Sequence, residues 1–162
     1  MIECNALLGA ILNVMHPDLY RQGREALATL HDTPTFVAQE ERISLLDILQ
    51  LWTNPFSALQ VVVNRETPLH RDVRGRGTWF DMLVTLGKYE NGRLELPGLG
   101  LRLNYAPGTV VGIASKVITH GAGKVSGDRI CLAYFMRNKV LERLGVSAGT
   151  WMTHIGKLHC IE

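Results

Sequence analysis

The chain reads as an α+β protein of mainly β character, a barrel or jelly roll with helices at its two ends. Three observations predict this. Helical periodicity is confined to the first third and to one short segment near the end. Between them run short apolar stretches rich in Val, Leu, Ile and aromatic residues. Turn signals separate these stretches, where a parallel sheet would need long crossover helices.

The first third is taken as helical. "HPDLYRQGREALATLHD" places Leu19, Ala26, Leu27 and Leu30 near helical spacing, and Pro17 suits a first helical turn. Gly23 interrupts that pattern. "AQEERISLLDILQLW" puts Ile43, Leu46, Leu49 and Leu51 on one side, with acids early, where the helix dipole favours them. Asn54-Pro55 ends it. From about Ser57 the runs are "LQVVVN", "WFDMLVTLG", "RLELPG", "LRLNYAPG", "TVVGIAS", "KVITHGAG" and "RICLAYFM". Asn91-Gly92, Pro97-Gly98, Pro107-Gly108 and the glycines of 121–127 punctuate them. "NKVLERLGV" closes as a short helix with Gly145 at its stop. The expected organisation is a single domain: helical support over 1–56, a β core over 57–137, and a C-terminal helix and tail over 138–162. The helices are expected to cover the outside of one sheet.

Composition excludes several classes. A chain of 162 residues, 46% hydrophobic and 20% charged, can bury the core of one globular domain and is not disordered. No apolar run reaches the roughly 18 residues of a membrane span. The N-terminus lacks the basic-then-apolar layout of a secretory signal. Neither a membrane location nor export is therefore expected, and the chain is expected to be a monomer. Three widely spaced cysteines with no CxxC pair argue against a zinc ribbon or disulfide framework. A net charge of +2 does not by itself imply nucleic-acid binding.

The chemistry concentrates in "TPLHRDVRGRGTWFDMLVTLG". His70 and Asp72 are two apart, a spacing that on a strand points both side chains to one side. An open iron site of the oxygenase type needs two imidazoles and one carboxylate on one face. His120, in "KVITH" just before a glycine-rich turn, is the natural third ligand. Arg129 opens the next apolar strand; an inward arginine is costly there unless it meets an anion, and its fork matches a carboxylate such as the distal one of 2-oxoglutarate. Each feature alone also fits an ordinary loop or strand end, and their conjunction carries the reading.

The stretch from about Leu51 to Arg137 resembles the fungal branch of the TET/JBP family. "NRETPLHRD", "LPGLG", "YAPGTVVGI", "ITHG" and "GDRICLAYFMR" come in the family's order and spacing. The resemblance implies a double-stranded β-helix and an Fe(II)- and 2-oxoglutarate-dependent dioxygenase. In that comparison His70, Asp72 and His120 bind iron and Arg129 binds 2-oxoglutarate. The implied partner is methylated DNA, with oxidation of 5-methylcytosine to 5-hydroxymethylcytosine and beyond. N6-methyladenine, or a protein or small-molecule substrate, is the alternative. Nuclear localisation is implied by the resemblance alone.

Arg65 and Phe135 match positions that stack on a flipped base, and flat partners are what such a base needs. Their plain alternatives are a solvated strand end and a core aromatic. Arg137 stands where larger members read the base with a polar residue, and Gly75 stands where an acidic contact is expected. Asn64 is read either as a substrate contact or as the close of a strand. Arg71, Arg74 and Arg76 form either a phosphate clamp or a solvated loop. "GAGKVSG" lacks the spacing of a phosphate loop. His16, His31, His154 and His159 are expected at the surface.

Overall fold

The computed structural model describes residues 2–32 and 47–149. Two helices, α1 (Ile2–Met15) and α2 (Pro17–Asp32), precede eight strands. These are β1 (Ala58–Val63), β2 (Thr67–His70), β3 (Asp81–Glu90), β4 (Arg93–Leu96), β5 (Leu101–Asn104), β6 (Val110–Ile113), β7 (His120–Ala122) and β8 (Ser126–Phe135). A short α3 (Asn138–Arg143) follows, and Gly145 beyond it adopts a left-handed φ of 68°. Of the helix expected over 38–52, residues 47–51 are helical and the rest lies outside the described residues. So do His154 and His159. No helix among the described residues is long and apolar enough to cross a membrane.

The strands form two four-stranded antiparallel sheets, ordered β1-β8-β3-β6 and β2-β7-β4-β5. Two facing sheets with this interleaved order make a jelly roll. Strand alternation then divides the side chains of β8. Arg129, Cys131 and Ala133 face the space between the sheets. Leu132 and Tyr134 face the helices, where they join Leu8, Leu12, Leu19 and Met82 in the larger core. A smaller core of Leu94, Leu96, Tyr105 and Ile113 fills one end of the jelly roll. The helices thus cover the first sheet, as the apolar periodicity of α2 predicts: its buried positions are Leu19, Gly23 and Ala26.

Gly23, which looks like a flaw in that helix, has a packing reason. A Cβ there would lie 2.1 Å from the Pro55 carbonyl oxygen and 2.5 Å from the Met136 terminal methyl. The backbone of 55 passes too close for any side chain. Alanine would improve helix propensity by about 1 kcal/mol, but the clash is with backbone and must dominate. Gly23→Ala is expected to cost a net ~1–3 kcal/mol, read as a lower midpoint in chemical denaturation.

Three sequence expectations are corrected. His16 is buried, not at the surface: its Nδ1 accepts the Leu19 N–H at 3.2 Å, capping α2, and its Nε2 donates to the Thr78 carbonyl at 2.9 Å. The run "KVIT" is a turn rather than a strand, so His120 begins β7 instead of ending a strand. The strand that carries His70, β2, ends at that residue, and Asp72 lies beyond it. The two residues therefore do not share a strand face.

Candidate active site

Although the alternation argument for His70 and Asp72 fails, their side chains converge by another route. His70 and His120 are direct partners across β2 and β7, and their ring centroids are 4.4 Å apart. After His70 the chain turns back, held by the Asp72 N–H donating to the Ser115 carbonyl at 3.1 Å. That places Asp72 Oδ1 3.5 Å from His70 Nε2. One ligand atom from each of His70, Asp72 and His120 lies within 4.8 Å of the other two.

The imidazoles are oriented for a cation. His70 Nδ1 is 2.9 Å from the Pro68 carbonyl and His120 Nδ1 is 3.0 Å from the Ile118 carbonyl. A carbonyl can only accept, so both rings carry their proton on Nδ1. This leaves the Nε2 lone pairs available to a metal, the usual backbone support of a ligating histidine. His120 is 6% exposed.

Arg129 sits on the neighbouring wall of the same cavity and is 3% exposed. Asn64, at a left-handed φ of 50°, accepts the Arg129 backbone N–H at 2.7 Å and donates to Asp128. Asn64 therefore closes β1 against β8, and it lines neither this cavity nor the next. The Arg129 Nη2 donates to the Arg65 carbonyl at 2.7 Å, while its buried Nη1 has no hydrogen-bond partner among the described residues. A buried guanidinium with one orphaned face is costly unless an anion completes it. The cavity it faces is about 280 Å³, the size of a small-molecule site. Two imidazoles and a carboxylate beside an unsatisfied guanidinium fit Fe(II) and 2-oxoglutarate.

Tyr105, missed in the sequence, lines this cavity too. Its hydroxyl contacts the Cys131 thiol at 3.5 Å, and burial raises the phenol well above its ordinary range. Only the pairing of the two sheets brings it near Arg129, so no local signal could have found it.

A second cavity, of about 310 Å³, adjoins the first, and Gln60, Asp72, Leu83 and Ala133 line both. Phe135 and Arg137 stand in its wall, with the Arg137 guanidinium 4.8 Å from the Phe135 ring centroid. Phe135 thus lies on the cavity side of β8, not in the core. Arg65 lines the first cavity. Of the loop arginines, Arg74 reaches the second cavity, whereas Arg76 donates to Asn138 at 2.6 Å and lies over Trp79. Gly75 lines the same wall without a side chain. Asp81, also missed, lies at the foot of β3 in this chamber. Burial chiefly raises its carboxyl to about 7; the Ser115 hydroxyl bond opposes this and the Asp72 charge adds to it.

Residues 1–138 match the family model Tet_JBP, described as the oxygenase domain of the 2OGFeDO superfamily. The match is at the level of the family, with no branch singled out. No curated protein matches by sequence. Among solved structures, the fold is similar to NgTET1 in complex with 5mC DNA, at a TM-score of 0.58 and 16% identity. That alignment covers 84% of this chain and 48% of the other, so the chain spans about half the length of the protein it matches.

Proposed function

We propose, from the premise that this chain belongs to the Tet_JBP family of 2OGFeDO oxygenase domains, that it oxidises the methyl group of 5-methylcytosine in DNA. Family membership makes it an Fe(II)- and 2-oxoglutarate-dependent dioxygenase. The methylated base is our reading. The observation that carries it is the second chamber: a site with an aromatic ring and a guanidinium in its wall that shares Asp72 with the cluster of potential ligands. NgTET1, which has the same fold, is a protein crystallised with 5mC DNA, and this supports the assignment.

In this reading His70, Asp72 and His120 hold the iron and Arg129 pairs with the distal carboxylate of 2-oxoglutarate. The bound iron and 2-oxoglutarate supply the oxidation. The chain's own work is positioning. The Pro68 and Ile118 carbonyls fix the two rings. Leu83, Leu94 and Ala133 give the cavity dry walls. Phe135 and Arg137 present flat partners to a base taken out of the stack, and Arg65 stands in the wall of the adjoining first cavity. Arg71 and Arg74, both exposed, lie where phosphates would pass.

Incubation with iron, 2-oxoglutarate and duplexes carrying 5-methylcytosine or N6-methyladenine tests this, with nucleosides read by mass spectrometry. We expect 5-hydroxymethylcytosine, and duplex binding that weakens steeply as salt rises. No oxidised nucleoside from either duplex, with the protein iron-loaded, would reject DNA as the substrate.

A further inference from the structure

We propose that Tyr105 and Cys131 are a self-modification site: turnover with no substrate in place joins them through a thioether bond. The inference goes beyond the DNA-base reading and does not depend on it. It uses only the family's Fe(II)- and 2-oxoglutarate-dependent activity.

Three observations lead to it. First, the two side chains touch. The Tyr105 hydroxyl and the Cys131 thiol are 3.5 Å apart, and among the described residues neither side chain makes another hydrogen bond. Cys131 is a free thiol. Second, both line the cavity that holds His70, Asp72 and His120, so an oxidant generated at that cluster meets them with no wall between. Third, both are held in place. Cys131 sits mid-sheet on β8, opposite Val62 of β1 and Thr85 of β3. Tyr105 is 2% exposed, and its backbone N–H and carbonyl are engaged by the Gly92 carbonyl and the Tyr89 hydroxyl. Burial chiefly raises both groups above their ordinary ranges, so each keeps its hydrogen. A protonated thiol is a poor nucleophile, which leaves oxidation as the route open to this pair.

In the step, a bond forms between Cys131 Sγ and the Tyr105 ring carbon beside the hydroxyl-bearing one. The thiol hydrogen and the hydrogen of that ring carbon are lost, so the pair is oxidised by two electrons. Dioxygen is reduced. One of its atoms enters succinate as 2-oxoglutarate loses carbon dioxide. The other, with no substrate methyl to receive it, leaves as water carrying both hydrogens. The product bears on the fold. No strand ladder joins the two sheets. Tyr105 follows β5 of one and Cys131 is on β8 of the other, so the thioether staples the jelly roll across a sequence separation of 26.

The test incubates the iron-loaded protein with 2-oxoglutarate in air and without DNA, confirms succinate, and reads the protein itself by mass spectrometry. The intact mass is expected to fall by two hydrogens. After proteolysis the peptides of Tyr105 and Cys131 should come off as one, resistant to reductant, and Cys131 should no longer alkylate in denaturant. Tyr105→Phe and Cys131→Ser should each remove the joined peptide, as should exclusion of oxygen. The thermal midpoint of the modified protein, stripped of metal, should rise by roughly 5 °C or more over unmodified protein, as for a covalent loop closure. Cys4 supplies the control. It is near Tyr134, whose phenol burial chiefly and then Cys4 push up, and neither residue lines the cavity. Succinate formed with the two peptides still separate, or oxygen added to either residue without joining, overturns the inference. So does an equal cross-link between Cys4 and Tyr134, which indicates indiscriminate oxidation. Any of these leaves the DNA-base reading standing.

Discussion

Arg129→Ala raises the 2-oxoglutarate concentration needed for half-maximal turnover by roughly 30-fold or more. The estimate follows from truncating one member of a buried, hydrogen-bonded charge pair, which costs about 2–5 kcal/mol. Arg129 is suited to this role because one face of its guanidinium is engaged with the Arg65 carbonyl and the other is orphaned. The engaged face fixes the side chain before any ligand arrives, and the orphaned face is left to the diacid. Arg129→Lys keeps the charge but loses the fork, so its requirement should fall between wild type and alanine. Iron affinity should change little in either variant, because Arg129 is outside the ligand cluster. Succinate formation at graded 2-oxoglutarate measures the effect, and an unchanged half-saturation point would remove Arg129 from the cofactor site.

Asp72→Ala is expected to abolish turnover, by at least about a thousandfold, and to weaken iron binding. A metal centre contributes several kcal/mol to the reaction, and the alanine variant lacks the only carboxylate of the cluster. The fold should survive. The Asp72 side chain is about half exposed, and its backbone N–H, which holds the turn through the Ser115 carbonyl, is unaffected. Thermal melting close to wild type with lost metal uptake would therefore be the signature. Metal uptake can be followed by Co(II) absorbance, independently of catalysis. Wild-type uptake in this variant would reject Asp72 as a ligand.

Much of the fold was legible because its signals are local. The helical spacing of Leu19 and Ala26 marks the buried face of α2, though Gly23 between them interrupts the apolar pattern, and Asn91-Gly92 marks the reversal between β3 and β4. The bounds of β2 escaped because "TPLH" is four residues long and includes a proline, which argues against a paired strand. His16 escaped because its partner, Thr78, is distant in sequence. The ligand cluster was found for a partly mistaken reason. His70 and Asp72 were assigned to one strand face, whereas their convergence depends on a turn pinned by Ser115. Spacing survived where geometry did not, since two residues two apart stay near each other in either conformation. Tyr105 and Asp81 lay beyond reach for the opposite reason: Tyr105 enters its cavity through the stacking of two sheets, and Asp81 through the loop over 72–75 that shares a wall with the first sheet, and no short window of sequence encodes either.

The ladder joining β2 to β7 is a thin seam. It has two register pairs, Thr67 with Ala122 and His70 with His120, and an irregularity between them. One of those pairs is the two imidazoles themselves. An ion gripped by both would suture the seam, so occupancy and mechanical integrity of the smaller sheet become a single linked equilibrium. Chelation would then do more than halt a reaction. It would unpick one wall of the vessel in which the reaction happens.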